Sequence, residues 1–202
     1  MEAGKTFKKE IKVFQKRKGF LRTSQALKAG IPHWILYRML KEGVVEKVIH
    51  GLYRLTNLSE IPELDLLTMA IKIPRCVICL TSALSFHKLS TQIPHQVDIA
   101  LEKGAETPRQ NYPPIQVYRF SGEALKAGIE VYDFNGVKVQ VYCQEKTIAD
   151  CFKFRNKIGV GTALEALKRY FEKGKPKIQE LSKYARICRV EKVLRPYLEA
   201  LL

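Results

Sequence analysis

Gly19, Gly30, Gly43 and Gly51 cut the first 56 residues into short pieces of helix or strand length, and that punctuation limits the fold more than any other feature. Lys5 to Lys18 reads as a first helix, because Phe7, Ile11 and Phe14 repeat at near-helical spacing with lysines on the other face. Gly19 stops it, and Phe20-Leu21 forms a short extended approach. Thr23 or Ser24 then suits the N-cap of a second helix, Gln25 to Ala29. Gly30 makes a tight turn with Ile31 as its apolar anchor, and Pro32 fits the first position of a third helix, where a missing N–H costs nothing. That helix is expected to run to about Glu42, with Gly43 as its C-terminal cap. Residues 44–49 and 52–55 are strand-like runs around His50-Gly51, which reads as a hairpin. Helix, helix, turn, helix, hairpin is the order of a winged helix-turn-helix.

The pattern changes beyond Thr56. Residues 57–62 read as a linker, and Glu63 to Ile73 as a helix ended by Pro74. Val77 to Leu80 is an apolar run of buried-strand character, followed by a short helix to about Leu89 capped by Thr81 or Ser82. Residues 96–101 and 116–120 read as strands, and residues 130–134 and 137–143 flank Asn135-Gly136, a strong hairpin signal. Helices are expected over 146–154, 162–171, 178–186 and 190–201. The expected fold class is α+β. An N-terminal winged helix-turn-helix domain, 1–56, precedes a larger α+β domain, 57–202, with a small mixed or antiparallel sheet and C-terminal helices.

Charge says what such a chain meets. The 202 residues carry a formal net charge of +15, and the sequence pI is about 9.6. Residues 1–56 contribute +9 and residues 150–202 contribute +7, around a nearly neutral middle. An excess of this size implies a polyanionic partner, nucleic acid or an anionic membrane surface, unless it serves only to keep the surface solvated. The basic residues do not sit beside a lipid-facing Leu/Trp/Phe stripe, which disfavours a membrane. The opening ten residues lack the apolar stretch of a secretory signal, and no run approaches the 18–20 apolar residues of a membrane span. Five cysteines include one lone C-x-x-C, Cys76 and Cys79, without a second pair at zinc spacing, so buried reduced thiols are expected. Together these features point to the cytoplasm.

The third helix supplies the candidate interface. Ile35 or Leu36, with Met39 and Leu40, follow the core spacing, leaving His33, Trp34, Tyr37, Arg38 and Lys41 for the outer face. N-terminal residues of a recognition helix approach base edges most closely, where His33 and Arg38 can donate, Arg bidentately to guanine. Tyr37 and Lys41 can reach bases or phosphates. Trp34 fits either the DNA face or a packing contact, and His33 either a base or a solvated helix start. Arg22, Ser24 and the free N–H groups of the second helix can hold a phosphate. Lys47, His50 and Arg54 lie on or near the hairpin, within reach of backbone or minor groove, although a polar turn alone also accounts for them.

Several runs resemble a known family. Arg22-Thr23-Ser24, Ala29-Gly30-Ile31-Pro32, Leu36-Tyr37-Arg38-Met39-Leu40, Gly43-Val44-Val45-Glu46 and Gly51-Leu52-Tyr53-Arg54 closely resemble the N-terminal domain of the AbiEi-type antitoxins. Residues 81–87, 145–151 and 157–159 more loosely resemble that family's second domain. The resemblance implies an autoregulating repressor that binds inverted-repeat operators. It also implies the antitoxin of a type IV toxin–antitoxin system, opposing a nucleotidyltransferase-like toxin without a stable complex. A C-terminal domain linked to antitoxin activity, with a basic face assisting DNA binding, is part of the same implication. Stand-alone regulators share this architecture, so the toxin partner is a separate expectation from DNA binding.

No catalytic motif competes well. G-x-x-x-x-G-K-[ST], H-E-x-x-H and G-x-S-x-G are all missing from the sequence, and the four histidines are scattered. His87 near Ser82 and Ser85 fits a packing helix better than a nucleophile pair. A nuclease would want paired carboxylates and a lysine around a metal, for which Asp98, Glu102 and Lys103, or Asp133, Glu145, Lys146 and Asp150, are the nearest sets. Neither has persuasive spacing. No enzyme activity, cofactor or metal is therefore expected.

Overall fold

The computed structural model describes residues 7–17, 19–57, 63–109, 112–134 and 137–201. They divide into two compact units, residues 1–62 with 133–136, and residues 63–132 with 137–202.

The first unit contains helix α1 (Lys8–Gln15), strand β1 (Phe20–Arg22), helices α2 (Thr23–Lys28) and α3 (His33–Lys41), and strands β2 (Val45–Ile49) and β3 (Leu52–Leu55). Its three strands form an antiparallel sheet in the order β1-β3-β2. The glycine punctuation works through backbone geometry. Gly30 stands at φ +81°, and the N–H groups of Gly30 and Ile31 donate to the carbonyls of Leu27 and Ala26. Gly43 stands at φ +68°, and Gly43 and Val44 donate to Leu40 and Met39. Both are the doubly bonded left-handed cap that closes a helix, and each turns an apolar residue, Ile31 or Val44, back towards the helix it follows. Phe7, Phe14, Leu21, Ala26, Ile31, Leu36, Met39, Val45 and Leu55 make the core. Burying side chains of this size stabilises by about 1.5–3 kcal/mol each, which is what a module this small needs.

Three local expectations are corrected. The second helix begins at Thr23, with Arg22 in the N-cap position; its N–H donates to Gln25 Oε1 at 3.1 Å. Thr23, expected as one of the two cap residues, instead bonds the hairpin turn: its N–H and its hydroxyl both donate to the Gly51 carbonyl, at 2.9 and 3.3 Å. Pro32 is the N-cap of α3 rather than its first residue. The extended approach at 20–22 is a true third strand.

The second unit contains α4 (Leu64–Lys72), β4 (Val77–Ile78), α5 (Leu80–Phe86), β5 (Val97–Glu102), β6 (Ile115–Phe120), α6 (Glu123–Lys126), β7 (Ile129–Phe134), β8 (Val137–Tyr142), α7 (Gln144–Lys153), α8 (Arg155–Ile158), α9 (Val160–Glu172), α10 (Ile178–Ile187) and α11 (Glu191–Glu199). Five strands form one sheet in the order β6-β5-β4-β8-β7. It is mixed: β4 is antiparallel to β5 and parallel to β8, and β5 is parallel to β6. The linker at 58–62 and the turn residues Asn135-Gly136 lie outside the described residues. The strand expected over 77–80 is two residues long, because Leu80 already opens α5.

Helix α7 is the centre of this unit. Glu145 to Phe152 are all buried, and α5, α9 and α10 pack around the helix. A face-and-back pattern cannot describe it, since Lys146 and Asp150 are as buried as Ile148 and Phe152. Lys146 Nζ lies 2.5 Å from Asp150 Oδ2 and 4.1 Å from the centroid of the Tyr142 ring. Asp150 Oδ1 accepts from the Cys188 thiol at 3.2 Å. All five cysteines are buried and unbonded to one another. Burial pushes the Cys76 thiol up to about 12, so it remains protonated at neutral pH.

Among the carboxylates raised as nuclease candidates, Asp98, Glu145 and Asp150 have structural partners. Asp98 is buried on β5, where its carboxylate accepts from the N–H and hydroxyl of Thr81 and so caps the start of α5. The cap expected from Thr81 or Ser82 is thus supplied from another strand. Burial raises the Asp98 carboxyl above its ordinary range, opposed by its bonds to Thr81 and Ser82. Glu145 accepts from the Tyr170 hydroxyl at 2.6 Å. His87 Nε2 donates to the Tyr142 carbonyl at 2.7 Å, and burial lowers its pKa. Ser82 is engaged elsewhere, donating to Gln96 O and accepting from Asp98 N–H. Among the described residues no cluster of His, Cys, Asp or Glu can hold a metal ion.

Candidate nucleic-acid interface

The candidate interface is built on α3. Leu36 and Met39 are 1% and 0% exposed and fix the helix to the core, so the opposite face is set by the 3.6-residue period. His33, Trp34, Tyr37, Arg38 and Lys41 are all exposed on it. Trp34 and Tyr37 are 65% and 69% exposed, which removes both from the core. Two large aromatic rings held in water on a nine-residue helix are costly unless something covers them, and they lie between cations. The tight turn at 29–32 leaves His33 and Trp34 as the first residues of the helix.

Arg38 is exposed but engaged. Its Nε donates to Glu42 Oε1 at 2.8 Å, and its guanidinium lies 5.5 Å from the centroid of the Phe7 ring. An exposed pair at this spacing is worth only about 0.3–0.5 kcal/mol, so exchanging Glu42 for another acceptor costs little. Lys41 stands one turn beyond Tyr37 at the end of α3, where a cation also suits the helix dipole.

The other expected contacts divide. Ser24 is exposed on the first turn of α2, beside Arg22, whose Nε is buried without a hydrogen-bond partner. That unmet donor and the exposed hydroxyl give the start of α2 some capacity for an acceptor. Lys47 and His50 are exposed on the hairpin. Arg54 is partly buried on β3 and its Nε pairs with Glu46 across the β2–β3 register, so this guanidinium serves the sheet. Leu27, 44% exposed on α2, was not singled out from the sequence, because a lone apolar residue on a short helix carries no sign of which way it faces.

The geometry is that of a helix-turn-helix followed by a β-hairpin, with α3 presenting a basic, aromatic face. Residues 8–56 match the family model described as transcriptional regulator, AbiEi antitoxin. The match to AbiEi regulators runs from α1 to just beyond β3 and covers about a quarter of the chain. A comparison with curated proteins gives no match. Among the described residues no helix is long and apolar enough to cross a membrane.

Proposed function

We propose that the chain is a double-stranded-DNA-binding transcriptional repressor, a cytoplasmic, non-enzymatic protein whose winged helix-turn-helix within residues 1–56 reads an inverted-repeat operator. The observation that carries this reading is the exposed α3 face, where His33, Trp34, Tyr37, Arg38 and Lys41 lie opposite buried Leu36 and Met39. The AbiEi match over the same residues supports it. Arg38 and His33 donate to base acceptors in the major groove, Tyr37 and Lys41 contact bases or phosphates, and Trp34 packs against the sugar-phosphate backbone. Arg22 and Ser24 hold a phosphate at the start of α2, and Lys47 and His50 lay the hairpin on the flanking backbone. The second domain, 57–202, carries the antitoxin activity of a type IV system, directed at a nucleotidyltransferase-like toxin without a stable complex.

The test is a gel shift of the full chain on the DNA upstream of its own gene, against unrelated DNA of equal length, across a salt series. A clear preference for the upstream fragment is expected; equal affinity for both would remove the repressor reading and leave a nonspecific anchor. Arg38→Ala is expected to weaken the specific complex by about 1–3 kcal/mol with little change on unrelated DNA. Lys47→Ala is expected to weaken both alike and to lower the slope of log affinity against log salt by about one. If Arg38→Ala leaves the operator affinity intact, α3 does not present the reading face.

A further inference from the structure

The C-terminal unit holds a cleft of about 810 Å³ between the end of α7, α8, the end of α10, the start of α11 and the turn before α6. The volume is in the range of small-molecule sites, about 300–1,000 Å³. Its lining is strongly one-signed. Lys153, Arg155, Arg186 and Arg189 line it with one carboxylate, Glu123, and Arg186 Nε also donates to Glu191 Oε1 at 3.1 Å. Concave walls carrying one sign of charge focus the field and concentrate counter-ions far better than the same charges on a flat face.

Two of the cations, Lys153 and Arg155, are held in place. Arg155 donates to the Phe152 carbonyl at 2.8 Å, which fixes its guanidinium at the α7–α8 junction. Lys153 Nζ lies 5.4 Å from the centroid of Phe120. Arg189 is the residue after the C-cap of α10 and stands at φ +61°, with the Val190 N–H donating to the Ala185 carbonyl. That is the left-handed closing position that glycine fills in α2 and α3; an arginine here is strained, and its side chain lines the cleft. Between the charged residues, Ala124, Ile187, Val190 and Val193 supply an apolar part of the lining.

We propose that this cleft binds a small organic anion carrying two or more phosphate groups. Three of its four cations are guanidinium forks, which match phosphate oxygens bidentately. With Glu123 in the lining and Glu191 paired to Arg186, an excess of two positive charges remains, more than one carboxylate or one phosphodiester neutralises. The apolar wall takes the remainder of the ligand, as in sites that combine an aliphatic or aromatic lining with a few convergent polar groups. The lining residues all belong to the second unit, and the proposal stands or falls independently of DNA reading.

The test is calorimetric titration of the full chain at physiological salt with adenosine triphosphate and, separately, with pyrophosphate. One saturable site per chain is expected for the triphosphate, with pyrophosphate weaker because it leaves the apolar wall uncovered. The variant Lys153→Ala/Arg186→Ala/Arg189→Gly is expected to lose roughly tenfold or more in affinity. The control Lys168→Ala/Lys175→Ala/Lys192→Ala removes the same charge from exposed positions outside the cleft and is expected to bind as the parent does. Arg189→Gly alone relieves the left-handed position, so its melting temperature is expected at or above the parent's; weaker binding by that variant is then a loss of contact and not of fold. Saturation by neither probe overturns the proposal, as does an equal loss in both triple variants. So does a short DNA duplex that depends on Lys153, Arg186 and Arg189 while the triphosphate fails to compete with it, since the surface would then belong to nucleic acid.

Discussion

Lys146→Ala is expected to destabilise the C-terminal unit by about 3–5 kcal/mol. Lys146 and Asp150 are both 0% exposed, and among the described residues the ammonium group is met by the carboxylate and by the faces of Tyr142 and Phe120. Removing the lysine leaves Asp150 with the Cys188 thiol as its remaining hydrogen-bond donor. A buried carboxylate in that position takes up a proton or unfolds its surroundings. The pair itself is not the source of the stability: exchanging both members for apolar residues of similar volume is often neutral or better. Urea denaturation should therefore show a large loss for Lys146→Ala and a substantial recovery in Lys146→Met/Asp150→Leu. A single variant that melts with the parent would mean that water reaches the pair.

Gly128→Ala is the second large effect. Gly128 lies at φ +73°, and a Cβ there would stand 2.7 Å from Lys146 Cβ and 3.1 Å from Cys143 Sγ. The left-handed backbone costs an alanine about 1 kcal/mol or more, and forcing a methyl group against backbone-proximal atoms of α7 adds about 1–3 kcal/mol. Gly30→Ala separates the two contributions. Gly30 has φ +81° but nothing within 4 Å of the added carbon, so only the backbone share is expected there. Thermal denaturation of the two variants side by side checks the difference, and equal losses would show that α7 yields to the methyl group.

The first unit was largely legible because its signals are local. Gly30 and Gly43 end their helices with bonds reaching no further than five residues back, and Phe7, Phe14, Leu36 and Met39 fall where helical spacing puts them. The exposed face of α3 follows from the same spacing. Pairings across the sheet were not legible: neither the Arg54–Glu46 pair nor the bond from Thr23 to Gly51 leaves a mark in the local pattern. The second unit hid more. Lys146, Asp150, Glu145 and Asp98 are charged residues, and charge reads as surface unless the partner is known. Each is buried because a partner from elsewhere, or one helical turn away, satisfies it. The helix α6 was missed because four residues give no period to detect. The basic cleft was visible only as a charge excess, since its four cations come from two stretches more than thirty residues apart.

Strand β4 has a consequence for how the chain acquires its shape. Only two residues long, it is nevertheless the middle of the five-stranded sheet, with β5 on one side and β8 on the other. Its parallel neighbour, Val141 opposite Ile78, is encoded far downstream, and the ends of that long loop must meet before the sheet can close. The α7 residues that cover the sheet follow later still. On a ribosome the helix-turn-helix, whose core residues all lie between Phe7 and Leu55, can form that core while β4 is still waiting for its partner. During synthesis the core of the segment proposed to meet DNA thus forms ahead of the segment that holds the cleft, and a chain interrupted before β8 would carry the first without the second.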